Sequence, residues 1–340
     1  MKIIGNHVES SWDSWGDMRW PLLGCLALSW TIIFLCMING IQSYGKIAYF
    51  ITLFPYVVLT ILLAYVSTLD GFMDGVHYYT TPDWEKLAQL EIWNAAASQV
   101  FYSLGVAVGC QLILASYNDF KTNCHRDAML IGLFNSSTSI FAGFVVFGTV
   151  GFVAKKRGVD IEDVITAGAG LTFVVYPEAV AAMNSCPQVF SFLFFFMLVL
   201  LATSSVCGSW EVLVGSIYDQ LPSLSKRPRW QVMLATCFVG FLAGIPMCFD
   251  TGFLLFQMMD HRTGNSILLM AFVELVYLSW CYGTDRFFEH IKEMGMYVPL
   301  PLKWFWSISW NFTTPLIVFI GKVNALRIMP NHHHNFPLQF

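Results

Sequence analysis

The sequence predicts an all-α integral membrane protein in which one spanning helix is broken near its middle. Apolar residues make up 56% of the 340 positions and charged residues only 12%, against about 25% charged in soluble domains. The apolar residues gather into runs of the roughly 20 residues that a bilayer-spanning helix needs. One of these runs, WNAAASQVFYSLGVAVGCQLILASYN (93–118), carries no charge, yet Gly105 and Gly109 interrupt it where a spanning helix lies deepest. Lipid tolerates irregular backbone only where protein or a watery cavity surrounds it. A break at that depth is how ion-coupled carriers expose carbonyls and half-helix ends to a solute.

Eight segments meet the length requirement: 20–39, 47–67, 93–118, 128–154, 187–210, 230–249, 251–282 and 304–321. In the seventh, Asp260, His261 and Arg262 interrupt the apolar run. The longer connections, 68–92 and 155–186, hold amphipathic stretches that predict short helices. Lys46, Lys121, Arg126, Lys226, Arg227, Arg229, Arg286 and Lys292 fall in four connections that share one side. The excess of positive charge assigns that side to the cytoplasm. Both long connections and both chain ends then face outward; Lys155, Lys156 and Arg157 oppose this and are outvoted. The first twenty residues have no apolar core after Lys2, so no cleaved leader is expected. The thirty Phe, thirteen Tyr and twelve Trp suit lipid contact and interfacial belts.

The composition also excludes classes. Basic residues are few and scattered, which argues against nucleic acid as a partner. No nucleophile–base pair, phosphate-binding glycine loop or metal cluster is evident beyond His332–His334, so an enzyme is not expected. The cysteines lie mostly in apolar segments without CxxC spacing and read as small buried hydrophobes.

Polar residues inside the spans are few and spaced in turns. Gln99 and Ser103 lie four apart, as do Asn135 and Ser139, so each pair shares a helix face. Their amides and hydroxyls offer donors to a desolvated anion and hard oxygens to sodium. Polar packing between helices is the plainer reading of the same spacing. Leu201, Ser204 and Ser205 place a carbonyl and two hydroxyls on one face. Hydroxyls bonding back to their own helix is the plainer reading there.

Several longer stretches resemble the neurotransmitter:sodium symporter family, the sodium- and chloride-dependent transporters. WPLLGCLALSW and GIQSYGKIAYFITLFPYVVL resemble its fourth and fifth helices. QVFYSLG with LASYNDFKTNCHRDA resembles the sixth, NSSTSIFAGFVVFGTVGFVA the seventh, and TAGAGLTFVVYPEAVAAM the large outer loop. FFFMLVLLATSS with EVLVGSIYDQLP resembles the eighth, and ELVYLSWCYG the tenth. The resemblance covers about residues 7–322. It implies a broken-helix, inverted-repeat transporter fold with about eight of the family's twelve helices, the fourth to the eleventh. On this reading 1–19 is an extracellular segment, 20–322 an incomplete transporter domain, and 323–340 a tail outside the family pattern.

The resemblance also implies roles. Ser103 and Asn135 match ligands of one sodium, and Leu201, Ser204 and Ser205 match ligands of a second. Gln99, Ser103, Asn135 and Ser139 match the residues around chloride. A neutral Ser139 implies chloride dependence, since chloride-independent members carry a carboxylate there. Many animal members have Asp at the position of Ser204. Tyr102, Ser103, Gly105 and Val108 match substrate contacts, Tyr102 as an aromatic lid that a plain packing role explains equally. Asp260 matches half of an outer gate; Asp219 and Tyr117 match parts of an inner one, and loop-end solvation is the plainer reading of both acids. Glu274 implies bonding within the bundle.

The implied function is symport of a small amino acid or neurotransmitter amine with sodium and chloride across the plasma membrane. Val108 and Thr203-Ser204-Ser205 favour an amino acid. Homo- or hetero-oligomers with family members are the implied protein partners. The alternative is a non-transporting truncated form that binds or retains full-length members; it predicts no sodium-dependent uptake by this chain alone.

Overall fold

The computed structural model describes residues 15–165, 171–181 and 187–320. The expected tail 323–340 and most of 1–19 lie outside them. In chain order the helices are α1 (Trp20–Met37), α2 (Ile41–Val66), α3 (Phe72–Thr80), α4 (Leu90–Leu104), α5 (Cys110–Ala115), α6 (Cys124–Arg157) and α7 (Ile161–Val164). They continue with α8 (Tyr176–Ala181), α9 (Pro187–Gln220), α10 (Pro222–Ser225), α11 (Arg229–Gly244), α12 (Gly252–Val276), α13 (Thr284–Glu293) and α14 (Leu300–Ile308). Of three π-helical stretches among the described residues, Leu171–Val175 leads into α8, and Tyr277–Gly283 and Ser309–Thr313 join α12 to α13 and extend α14. Among the described residues the one β-type contact is an isolated bridge between Met18 and Phe249.

Among the described residues six helical stretches are long and apolar enough to cross a bilayer: Trp20–Met37, Ile47–Val66, Cys124–Arg157, Pro187–Gln220, Arg229–Cys248 and Ser266–Glu293. The other two expected spans are interrupted. Residues 105–109 split 93–118 into α4 and α5, and 304–321 contains a π segment and runs beyond the described residues. Asp260, His261 and Arg262, which interrupt the apolar run, lie within α12 ahead of the apolar span that begins at Ser266. Lys155, Lys156 and Arg157, assigned above to a loop, form the last turn of α6, where positive charge complements the helix dipole.

The chain folds as two compact units, whose boundaries fall inside α2 and α9. The first unit comprises the described parts of 1–47, 91–123 and 205–332. Its core joins Ile33 and Met37 of α1, Cys207 and Val214 of α9, and Met233 and Cys237 of α11. The rings of Trp30 and Trp210 meet edge to face at 4.6 Å, over Gly240, where a Cβ would strike both. One end of α1 is held by an ion pair of 2.5 Å between Arg19 and Asp250, beside the Arg19 N–H donating to Cys248 O at 2.9 Å. At the other end Gly40, at φ +67°, lies against the Arg229 guanidinium.

The second unit comprises 48–90 and the described parts of 124–204. Val58 and Leu62 of α2, Val145 of α6, Tyr176 of α8, and Phe194 and Met197 of α9 form its main core. The short helix α3 lies directly against α6 through glycines. A Cβ on Gly151 would come within 2.5 Å of Gly71 O and 2.6 Å of Gly75 N; one on Gly75 would strike the Phe147 carbonyl. Tyr79 stacks on Phe147 at 4.8 Å, and Lys155 pairs with Asp70 at 2.6 Å. Arg157 pairs with Glu178 of α8 and holds that carboxyl below its usual range.

The clashing atoms beside Gly75 and Gly151 are backbone and have no rotamer to yield. Gly151→Val is therefore expected to lower stability by about 1–3 kcal/mol, read as a fall in melting temperature in detergent. Gly132→Ala, where nothing lies within 4 Å, is expected to leave it unchanged.

Candidate functional site

The centre of the candidate site is the break between α4 and α5. Helix α4 ends in a Schellman motif: Val106 N–H donates to Phe101 O and Gly105 N–H to Tyr102 O, both at 3.1 Å. Gly105 supplies the left-handed turn at φ +62°. The chain turns left-handed again at Ala107 (φ +62°) and Gly109 (φ +85°), the latter capping α5. Ala107 is the one non-glycine residue with positive φ among the described residues. Sequence reading missed it, because alanine carries no turn signal. The Gln111 side-chain amide reaches back to Leu104 O at 2.6 Å, taking a carbonyl that the helix end releases.

Gln99, Tyr102 and Ser103 all sit in the last turns of α4, and Gly105 and Val108 in the break. These five lie within 10 residues of one another in the first unit. Tyr102 is 54% exposed and Gln99 and Ser103 are also exposed, whereas Gly105 and Val108 are partly buried.

Asn135 and Ser139 lie one turn apart on α6, in the second unit. The Ser139 hydroxyl donates to Asn135 O at 3.0 Å. Leu201, Ser204 and Ser205 lie mid-helix on α9, as their spacing requires. The Ser204 hydroxyl donates to Leu201 O at 3.1 Å, the self-bonding pattern noted above. That bond also holds two expected sodium ligands side by side.

Of the gate residues, Asp219 is exposed next to the last residue of α9, and Asp260 is exposed on α12. Tyr117 has a definite partner: its hydroxyl donates to Glu211 Oε1 at 2.8 Å. Arg229 pairs with the same oxygen. Glu211 is 1% exposed, and the Arg229 side chain is 32% exposed and lies over the Tyr218 ring. Sequence analysis placed Arg229 in a cytoplasmic loop and overlooked Glu211 altogether. A carboxylate in an apolar run is a signal for a paired, functional group, and Glu211 offered it. Glu274, expected to bond within the bundle, is partly buried and accepts no side-chain hydrogen bond from a described residue.

The description "Sodium:neurotransmitter symporter family" fits residues 3–338. The chain belongs to the sodium:neurotransmitter symporter family. Among its relatives is the sodium- and chloride-dependent glycine transporter 1 of Xenopus laevis, 42% identical over 307 residues, covering 89% of this chain and 48% of that protein. Another is the human sodium- and chloride-dependent creatine transporter 1, 41% identical over 316 residues, covering 91% of this chain and 49% of that one. The chain spans about half the length of these curated relatives. The family is one of symporters, not enzymes.

Two substitutions probe this geometry. Gly105→Val has open space for its side chain but must hold a left-handed backbone, a cost of about 1–2 kcal/mol; a lowered melting temperature checks it. Glu211→Ala leaves Arg229 without its carboxylate and is expected to cost about 3 kcal/mol, the lower part of the range for broken buried pairs because Arg229 keeps some solvent. The double replacement Glu211→Met with Arg229→Met is expected to recover most of that loss, since neither charge then needs a partner.

Proposed function

We propose that this chain forms the ion- and substrate-holding part of a sodium- and chloride-coupled symporter for a small amino acid or a close derivative, at the plasma membrane. The observation that carries this reading is the break at 105–109, which follows directly on Gln99, Tyr102 and Ser103. Released carbonyls and side-chain oxygens gathered at one interruption can replace the water around a sodium ion and a zwitterion. The relatives named for glycine and creatine transport favour a substrate with a carboxylate and a cationic group, in line with Val108 and the Thr203–Ser205 hydroxyls.

In the proposed mechanism Ser103 and Asn135 supply oxygens to one sodium. The Leu201 carbonyl with Ser204 and Ser205 serves the second. Gln99, Ser103, Asn135 and Ser139 surround chloride with neutral donors, so the anion balances the charge of the cations. Tyr102 covers the substrate while Gly105 and Val108 shape its pocket. Asp260 closes the outer path, and Asp219 and Tyr117 the inner one. Ion binding stabilises substrate at the break, and the carrier then exchanges access between the two faces.

Uptake of radiolabelled glycine and of creatine by cells making this protein tests the reading. Uptake lost when choline replaces sodium, and when gluconate replaces chloride, supports it. No sodium-dependent uptake of either solute sinks it and favours the non-transporting alternative, which no observation here otherwise supports. Asn135→Ala is expected to raise half-saturating sodium about tenfold or more, because a bond to a charged partner is worth about 1.5–3 kcal/mol. Ser139→Glu is expected to keep sodium-driven uptake in gluconate, its carboxylate standing in for the anion.

A further inference from the structure

The two halves of the broken helix are held in different ways. The start of α5 is seated on α9 in the first unit. A Cβ on Gly109 would lie 3.1 Å from Val212 Cγ1, Cys110 Sγ is 3.6 Å from Ser209 Oγ, and the Ile113 side chain fits over Gly215. Back toward α4 the link is polar: Gln111 Nε2 donates to Leu104 O at 2.6 Å, across seven residues that include both left-handed glycines. Gln111 is exposed, where water would serve its amide as well.

That bond decides which carbonyls the break leaves open. The Schellman bonds take Phe101 O and Tyr102 O, and Val108 N–H takes Gly105 O at 3.3 Å. Gln111 takes Leu104 O. Among the described residues no donor reaches Val106 O, Ala107 O or Val108 O. The same bond joins the two groups of expected substrate contacts. Leu104 directly follows Tyr102 and Ser103, and Gln111 follows Val108 by one helical turn.

We infer that Gln111 is a positioning residue of the break. It clasps α5 to the end of α4, withdraws Leu104 O, and so fixes the carbonyls of Val106, Ala107 and Val108 as the ones offered to a solute. It acts through the backbone and is not itself a ligand. The solute's part in this rests on the transport reading above; the clasp does not. A left-handed residue without glycine's freedom, Ala107, stays in place only while both flanks are held, and α9 holds one flank and Gln111 the other.

The test follows hydrogen–deuterium exchange of the full chain in nanodiscs by mass spectrometry. Gln111→Leu keeps the size of the side chain and removes its donor. Exchange of amides 105–112 is expected to rise about fivefold, with peptides from α3 and α6 unchanged. Gln111→Glu is expected to match Gln111→Leu at neutral pH, where a carboxylate cannot donate. Its protection, relative to the unfolded chain, is expected to return as pH falls through about 4.3, where the carboxyl regains a proton. In uptake of glycine or creatine, Gln111→Leu is expected to raise the half-saturating solute about fivefold while the maximal rate is kept. Unchanged local exchange, a rise spread evenly over the chain, or no acid recovery in Gln111→Glu overturns the clasp. Faster local exchange with an unchanged half-saturating solute overturns the positioning role. If the unsubstituted chain carries neither solute, the transport reading fails, and the exchange measurement still decides the clasp.

Discussion

Inside a bilayer no water is available to a backbone N–H or C=O, and each one left unmade costs several kcal/mol. This constraint explains why the described chain is helical almost throughout, and also where it is not. At two of the irregular regions, side chains and turn N–H groups supply the donors. At the break, the Schellman bonds of Gly105 and Val106 and the Gln111 amide take carbonyls from the end of α4. At the π segments 277–283 and 309–313, the Ser279 hydroxyl donates to Trp310 O at 2.9 Å, Trp280 Nε1 to Asn311 O at 3.2 Å, and the Asn311 amide to Ser307 O at 2.7 Å. Ser279 and Trp280 of the first of these segments thus satisfy carbonyls of the second.

The same logic governs charge. Glu211 is fully buried, and it persists because Arg229 and Tyr117 both bond its Oε1. This cluster fastens the turn after α5 to α9 and to the start of α11. Gly40 fits against the Arg229 guanidinium and so ties in the end of α1. At the opposite end of α1 the Arg19–Asp250 pair does similar work, in a more exposed setting. Between these anchors the apolar core of Ile33, Met37, Cys207, Val214, Met233 and Cys237 needs only shape complementarity. The contact of α3 with α6 in the second unit is of another kind. There glycine brings backbone against backbone, as small residues do wherever helices gain from close approach in lipid.

These features bear on the proposed transport. A carrier needs a region that exposes backbone oxygens without unfolding, and the left-handed turns at Gly105, Ala107 and Gly109 meet that need. The hydroxyls of Ser139 and Ser204 bond back to carbonyls of their own helices at 3.0 and 3.1 Å. Such bonds are weak enough to exchange for a cation.

Much of this was legible in the sequence. The membrane class followed from composition, since apolar runs of this length have few stable alternatives to a spanning helix. The break at 105–109 followed from two glycines at the centre of an uncharged run, and the one-turn spacing of Gln99–Ser103 and Asn135–Ser139 from helical period alone. Other features were decided only by tertiary structure. Arg229 reads as a loop cation until Glu211, eighteen positions earlier, is brought beside it, and Ala107 reads as helix former until the turns on either side force it left-handed. Sequence period places residues on a helix face; which charges meet across helices depends on packing between segments, and no local pattern encodes that.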